Sequence, residues 1–181
     1  MTPAEYFDFE ARTSEKHELR DGELVAMIRA RSSHNLVATN TLGALAAQLR
    51  GRPYKPFNSD QRIHVPQTSL YTYADGGVVH GRWQIHPDDE MSLLNPVLLF
   101  EVLSTSTAEY DRGAKLEHYK AIASLREVLL IAQPERRVEH YRRIEGDRWL
   151  AATFTAGTIE LALGTTLDLT DLYDQIESTL E

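Results

Sequence analysis

Apolar and polar positions along the chain fall into two rhythms. Over 33–50 the apolar residues Leu36, Leu42, Leu45, Ala46 and Leu49 recur at helical spacing, and Gly51 and Pro53 follow as stop signals. Thr2 in a cap position, followed by Pro3, predicts an earlier helix over 2–11. Between these helices, 16–27 divides into two short strand-like runs about Asp21-Gly22, which reads as a hairpin. Short apolar runs at 63–65 and 78–79 predict strands, whereas 82–95, with Pro87, two aspartates and Asn95, reads as a polar loop. The run 97–103, Val-Leu-Leu-Phe-Glu-Val-Leu, is continuous apart from one carboxylate, as expected of a strand buried on both faces. A helix over 110–123, a buried strand over 128–131 and a hairpin of 137–144 with 149–154 around Glu145-Gly146-Asp147 come next, and a helix over 168–180 ends the chain. This order predicts a mixed α/β (α+β) domain built on a central sheet.

The length of 181 residues predicts one domain over 1–181, able to bury roughly two thirds of its unfolded surface. Cysteine is absent, which excludes a disulfide scaffold, a thiol nucleophile, a thiolate zinc site and an iron–sulfur cluster. Lys and Arg number 19 against 27 Asp and Glu, a net charge of −8, which is not the balance of an obvious nucleic-acid binder. The N-terminus has neither the basic start nor the apolar stretch of a signal peptide, and no run approaches the length of a membrane helix. A cytoplasmic protein with no membrane association is expected. No repeat or low-complexity tract is visible.

Glu101 is the unusual residue, because a carboxylate in so apolar a run is costly to bury unless paired or bound to a metal. Asp75 stands just before the 78–79 strand run. Two carboxylates on neighbouring strands can converge on a hard cation such as Mg²⁺, which prefers oxygen ligands and keeps several waters. Lys115 lies on the following helix, which can fold back over the strand end, and Glu18 on the first hairpin could add another carboxylate. Such a set suits phosphodiester hydrolysis, with a metal activating water and a lysine orienting it or offsetting charge. Each residue also has a plainer reading. Glu101 could form a buried ion pair, even with Lys115; Lys115 could pair with Asp111 four residues earlier; Asp75 could shape a turn; Glu18 could belong to a solvated, charged hairpin.

Other features carry less. Asp60 reads as a turn-former or a residue of the site's rim, and Ser104-Thr105-Ser106-Thr107 as capping hydroxyls with no partnering base. His34-Asn35 at a helix start suggests a histidine–asparagine nuclease, but nothing supplies the rest of such a site. Arg136, Arg137, Arg142 and Arg143 could contact phosphates, or could serve a solvated edge hairpin or a subunit contact.

Four stretches carry a more specific likeness: 17–25 (His-Glu-Leu-Arg-Asp-Gly-Glu-Leu-Val), 58–65, 71–75 and 95–107, the last followed by Asp111-Arg-Gly-Ala-Lys115 and His118-Tyr119. Together they resemble a bacterial family of restriction-endonuclease-like proteins of the Uma type, within the PD-(D/E)XK nuclease superfamily. The likeness covers about residues 1 to 175 and is most specific over 96–119. It implies a restriction-endonuclease-like core, a central mixed β-sheet flanked by helices, with added antiparallel hairpins. It also implies a site in which Asp75 matches the aspartate of the Pro-Asp half-motif and Glu101 the acid of the second half-motif. Ala74 replaces the motif proline, and Leu103 stands where the plain motif has lysine, a role that Lys115 takes from the next helix. Glu18 matches a family glutamate that completes the metal site. Gly76-Gly77 stands where relatives usually carry larger residues, which predicts a looser strand behind Asp75.

The expectation is an endonuclease acting on DNA with Mg²⁺ or Mn²⁺ as cofactor. Asp75, Glu101 and Glu18 would hold the metal and Lys115 would position or activate water, in a chain expected to form a homodimer. The alternative is a catalytically inactive nuclease-fold module for binding or assembly. Hydrolysis of a smaller phosphate ester is a third class.

Overall fold

A computed structural model describes residues 1–27, 31–133 and 135–176. The first helix, α1 (Pro3–Glu10), begins as its sequence dictates. The Thr2 hydroxyl accepts from the Glu5 N–H (3.3 Å) and the Glu5 carboxylate accepts from the Thr2 N–H (2.7 Å), a reciprocal cap with proline at the first helical position. The predicted hairpin follows as β1 (His17–Arg20) and β2 (Glu23–Ala26). Its turn residues Asp21 and Gly22 both have positive φ (49° and 82°), the conformation a tight two-residue hairpin requires. In α2 (Ser32–Leu49) the buried stripe is Val37, Thr41, Leu45 and Leu49. Leu36 and Leu42 are half-buried and Ala46 is exposed, so the core-facing side is rotated from the one expected.

Two six-stranded sheets organise the domain. The main sheet draws on β3 (Tyr54–Asn58), β6 (Gly76–His80), β9 (Pro96–Leu103), β10 (Glu127–Ala132), β11 (Val138–Glu145) and β12 (Arg148–Phe154), in the order β12-β11-β10-β9-β6-β3. It is mixed: β9 and β10 are parallel and the other pairs antiparallel. The second sheet joins the first hairpin to β4 (Arg62–Val65), β5 (Leu70–Tyr73), β7 (Ile85–His86) and β8 (Asp89–Leu93), in the order β2-β1-β5-β4-β8-β7. A separate hairpin, β13 (Thr158–Leu161) with β14 (Thr165–Asp168), precedes the one-turn helix α5 (Leu169–Leu172), which Asp168 caps. The central mixed sheet, its flanking helices and the added hairpins are as expected.

Strand β9 is the axis of the core and is buried on both faces, as its apolar run predicts. Leu98, Phe100 and Val102 pack with α2, α5 and the last hairpin. Leu99 and Leu103 face the other way, toward Leu116, Tyr119 and the second sheet. Glu101 shares this second face by alternation.

Four local readings change. Residues 82–95 are not a loop but contain β7 and β8, and β8 runs parallel to β4. The polar side chains there are used internally: Asp89 accepts from the Ser92 hydroxyl and faces Arg62. The helix over 110–123 is instead α3 (Ala108–Tyr110), a π turn (Asp111–Lys115) kinked at Gly113, and α4 (Leu116–Lys120). Within the predicted 168–180 helix, the described residues form α5 and then a turn over 173–176; residues 177–180 lie outside the described residues. Finally, Gly76-Gly77 does not loosen its strand. A Cβ on Gly76 would sit 2.5 Å from Phe100 Cζ, and one on Gly77 2.5 Å from Phe57 Cζ and 2.6 Å from the Leu98 carbonyl. The missing side chains let two aromatic rings lie directly on β6.

This packing predicts that Gly77→Ala destabilises the fold by about 1–3 kcal/mol. Gly43→Ala, in the exposed interior of α2 with no neighbouring atom within 4 Å of the new Cβ, should instead stabilise by up to about 1 kcal/mol. Urea unfolding of both variants checks the contrast; equal effects would contradict it.

Candidate active site

The chain crosses from the second sheet to the main sheet through two residues, Ala74 and Asp75, between β5 and β6. Gly76 pairs with Phe100 across the antiparallel β6–β9 ladder, which brings Asp75 alongside the end of β9. The Val102 N–H donates to Asp75 Oδ2 at 2.7 Å. Glu101 therefore stands next to the strand residue that holds Asp75. From the other side β1 pairs with β5, and the Thr72 hydroxyl donates to Glu18 Oε1. The π turn supplies the last element. The kink at Gly113 breaks the helix between Asp111 and Lys115, and both side chains are buried.

Lys115 is the hub. Its Nζ lies 3.0 Å from Glu101 Oε1, 3.3 Å from Glu18 Oε1 and 3.9 Å from Asp111 Oδ1, and it donates to the Tyr73 carbonyl at 3.0 Å. The Tyr119 hydroxyl donates to Glu101 Oε1 at 2.5 Å. Arg20 Nε donates to Glu18 Oε2 at 2.6 Å and its guanidinium stacks on Tyr110. Glu18, Glu101 and Lys115 thus meet directly, while Asp75 stands beside them on the Val102 amide. Asp75 forms the cluster's opening, with a side chain 19% exposed against 4% for Lys115 and 6% for Glu101.

One ammonium cannot offset three carboxylates in so dry a setting, and the protonation follows. Burial works against the Lys115 charge, but Glu101, Tyr119, Glu18 and Asp111 overcome it and hold the ammonium well above its ordinary range. Burial also raises the Glu18 carboxyl, yet Lys115, Thr72 and Arg20 outweigh it and keep Glu18 below the usual carboxylate value. Glu101 yields. Burial pushes it up to about 8 against the pull of Lys115, with Asp75 and Asp111 adding to the rise. Burial likewise raises Asp111.

Three further residues belong to this cluster. Asp111, Lys115 and Tyr119 recur every four residues, a spacing that could have grouped them on one helix face. His34, in the first turn of α2, places Nε2 3.1 Å from Asp75 Oδ2. Burial lowers the imidazole, but Asp75, with Val102 and Asn35, outweighs it and raises His34 above its ordinary value. Its position at a helix start was visible in the sequence; its partner was not.

Other candidates fall outside. Asp60 lies in an exposed turn, bonded to Lys16 at 2.7 Å. Ser104 and Thr107 bond one another and the Thr107 N–H donates to Ser104 Oγ, a turn before α3 with no side-chain cap from Thr107. Of the four arginines, Arg142 and Arg143 are engaged within the fold. Arg143 stacks on Trp149 and donates to the carbonyls of Leu125, Lys120 and Ile122, and Arg142 pairs with the buried Glu127.

Among the described residues, no three carboxylate or imidazole groups converge as a ready-made metal cage. The hydrogen bonds engage Asp75 through Oδ2 and Glu101 through Oε1. One or two carboxylates, with waters and substrate phosphates, is the donor set Mg²⁺ commonly takes. Glu18 differs, since both of its oxygens are already engaged.

The Glu101 environment gives a pH prediction. Its carboxyl stands near 4.5 in the unfolded chain and about 8 in the fold. Between these values the folded protein keeps a proton that the unfolded chain has released, so this group's contribution to stability falls as pH rises. Glu101→Gln removes that dependence. Denaturation from about pH 5 to pH 8 should show wild type losing stability relative to the glutamine variant. A constant difference would contradict the assignment.

Residues 3–179 match the model of the Uma2 family, described as putative restriction endonuclease. Two uncharacterized proteins of Synechocystis sp. are similar: one is 34% identical over 161 residues, 89% of this chain and 91% of that protein, and the other 31% identical over 159 residues, 86% and 81%. The crystal structure of a putative nuclease belonging to DUF820 from Anabaena variabilis superposes with a TM-score of 0.74 at 16% identity, covering 94% of this chain and 98% of that one. The fold is therefore shared with that structure, and by the family model over nearly its whole length the chain belongs to the Uma2 putative restriction endonuclease family.

Proposed function

We propose that this protein is a metal-dependent nuclease that hydrolyses phosphodiester bonds of DNA at the cluster around Lys115. One observation carries the reading: in a chain of this family, Asp75 just ahead of β6 and Glu101 on the neighbouring β9 flank the ladder between those strands, with the buried Lys115 ammonium 3.0 Å from Glu101. Asp75 and Glu101 would hold Mg²⁺ or Mn²⁺ through Oδ1 and Oε2. Once bound, such a cation polarises the phosphate, lowers the pKa of an attached water and steadies the leaving oxygen.

The protein's own groups do the rest. Glu101 has to release its proton to act as an anionic ligand. Lys115 supplies a fixed positive charge against the charge that builds on the phosphate. Its Nζ donates to the Tyr73 carbonyl and lies within ion-pair distance of Glu101 and Glu18, which fix the ammonium in place. Glu18, with both oxygens engaged, serves by fixing that ammonium. With an overall charge of −8, the hold on DNA is expected to be weak and to fall steeply with salt.

A second reading, a non-catalytic module, is favoured by different observations. The Lys115 cluster is closed on itself, and the edge hairpin exposes Ile144 and Leu150, 55% and 57% accessible, as an interface would. Plasmid nicking separates the two. Wild type with Mn²⁺ should nick supercoiled DNA, chelation should abolish the activity, and Asp75→Ala, Glu101→Ala and Lys115→Ala should each cost at least about 100-fold. Cleavage that survives the two acid substitutions would refute the proposal.

A further inference from the structure

Asp75 is the cluster's exposed acid, and Lys115 does not hold it: the ammonium contacts Glu101, Glu18, Asp111 and Tyr73. A carboxylate's last torsion is broad, so a single hydrogen bond from Val102 leaves Asp75 free to pivot about Oδ2. The second contact on that oxygen is His34 Nε2 at 3.1 Å, from a side chain 11% exposed. The imidazole is rigidly presented. It sits in the first turn of an 18-residue helix, and the neighbouring Ser33 hydroxyl is bonded by the Gln133 side chain beyond β10. Its other ring nitrogen, Nδ1, is buried without a hydrogen-bond partner among the described residues.

We infer that His34 is a positioning residue. It clamps Asp75 Oδ2 against the Val102 amide, so that Oδ1 is the oxygen turned toward whatever Asp75 binds. The purpose of the clamp rests on the nuclease reading; its geometry does not. Partners that orient a metal-binding carboxylate commonly change metal affinity by about 10- to 100-fold.

The test uses full-length wild type, His34→Leu, which keeps bulk but removes the donor, and His34→Gln, which keeps a donor. Two quantities are read: the Val102 amide resonance without metal, and the Mn²⁺ dissociation constant by calorimetry. His34→Leu should move the Val102 amide upfield, leave distant amides such as Val65 in place, and weaken Mn²⁺ by about 10- to 100-fold. His34→Gln should restore both. An unmoved Val102 amide overturns the inference, as does unchanged Mn²⁺ affinity. If wild type itself binds no Mn²⁺, the nuclease reading fails, while the amide still decides whether His34 clamps Asp75. Should His34→Leu not fold, Asp75→Asn gives the reciprocal measurement. It should shift the His34 ring nitrogen resonances, and unshifted resonances would overturn the inference.

Discussion

A buried ammonium shared among carboxylates from different parts of the chain is the constraint around which this domain is arranged. Lys115 ties the π turn to β9 through Glu101, to β1 through Glu18 and to β5 through the Tyr73 carbonyl. Those strands belong to two different sheets, so the same contacts that neutralise the lysine also dock one sheet on the other. Removing one partner of such a buried set leaves an uncompensated charge, which is far more costly than losing a surface pair. The arrangement also explains why Glu101 can sit in an otherwise apolar strand. Its charge is not merely paired but largely suppressed, because Glu18 already answers the lysine and the site is dry.

The rest of the main sheet supports that placement. Gly76 and Gly77 admit the Phe57 and Phe100 rings and keep β6 close against β9, so the bend at Asp75 is set by packing rather than by turn chemistry. On the opposite flank, Arg142 with His140 and Glu127, and Arg143 with Trp149, anchor the edge hairpin to the body of the domain. These cations stabilise the fold and are not displayed as a phosphate-binding stripe. Among the described residues no helix is long and apolar enough to cross a membrane.

Much of this was legible in the sequence where local signals and tertiary demands agree. The carboxylate in the 97–103 run announced itself by its cost, the Asp-Gly turn fixed the first hairpin, and the apolar run of β10 needed no context. Legibility failed where long-range pairing overrides local pattern. Strand β8 hides in a polar segment because its ladder with β4 and the Asp89–Arg62 contact are made across the chain. The π turn depends on a kink at Gly113, which helical periodicity does not register. The glycine pair looked like a weakness because its fillers, two phenylalanines, come from other strands. Within the site, Asp75, Glu101, Lys115 and Glu18 could be named from motif and chemistry, but their division of labour could not. Only the geometry separates Glu18, bonded through both oxygens by Arg20 and Thr72, from Asp75 and Glu101, which are bonded through Oδ2 and Oε1.

If the proposal holds, Asp75 and Glu101 form one cation site beside Lys115. Crystals soaked in Mn²⁺ and read by anomalous scattering test it most directly. A single peak bound by Asp75 Oδ1 and Glu101 Oε2 is expected, with Glu18 still on Lys115 and Arg20. A protein that shows no peak there at saturating Mn²⁺, or one whose ion lies on other residues, would contradict it.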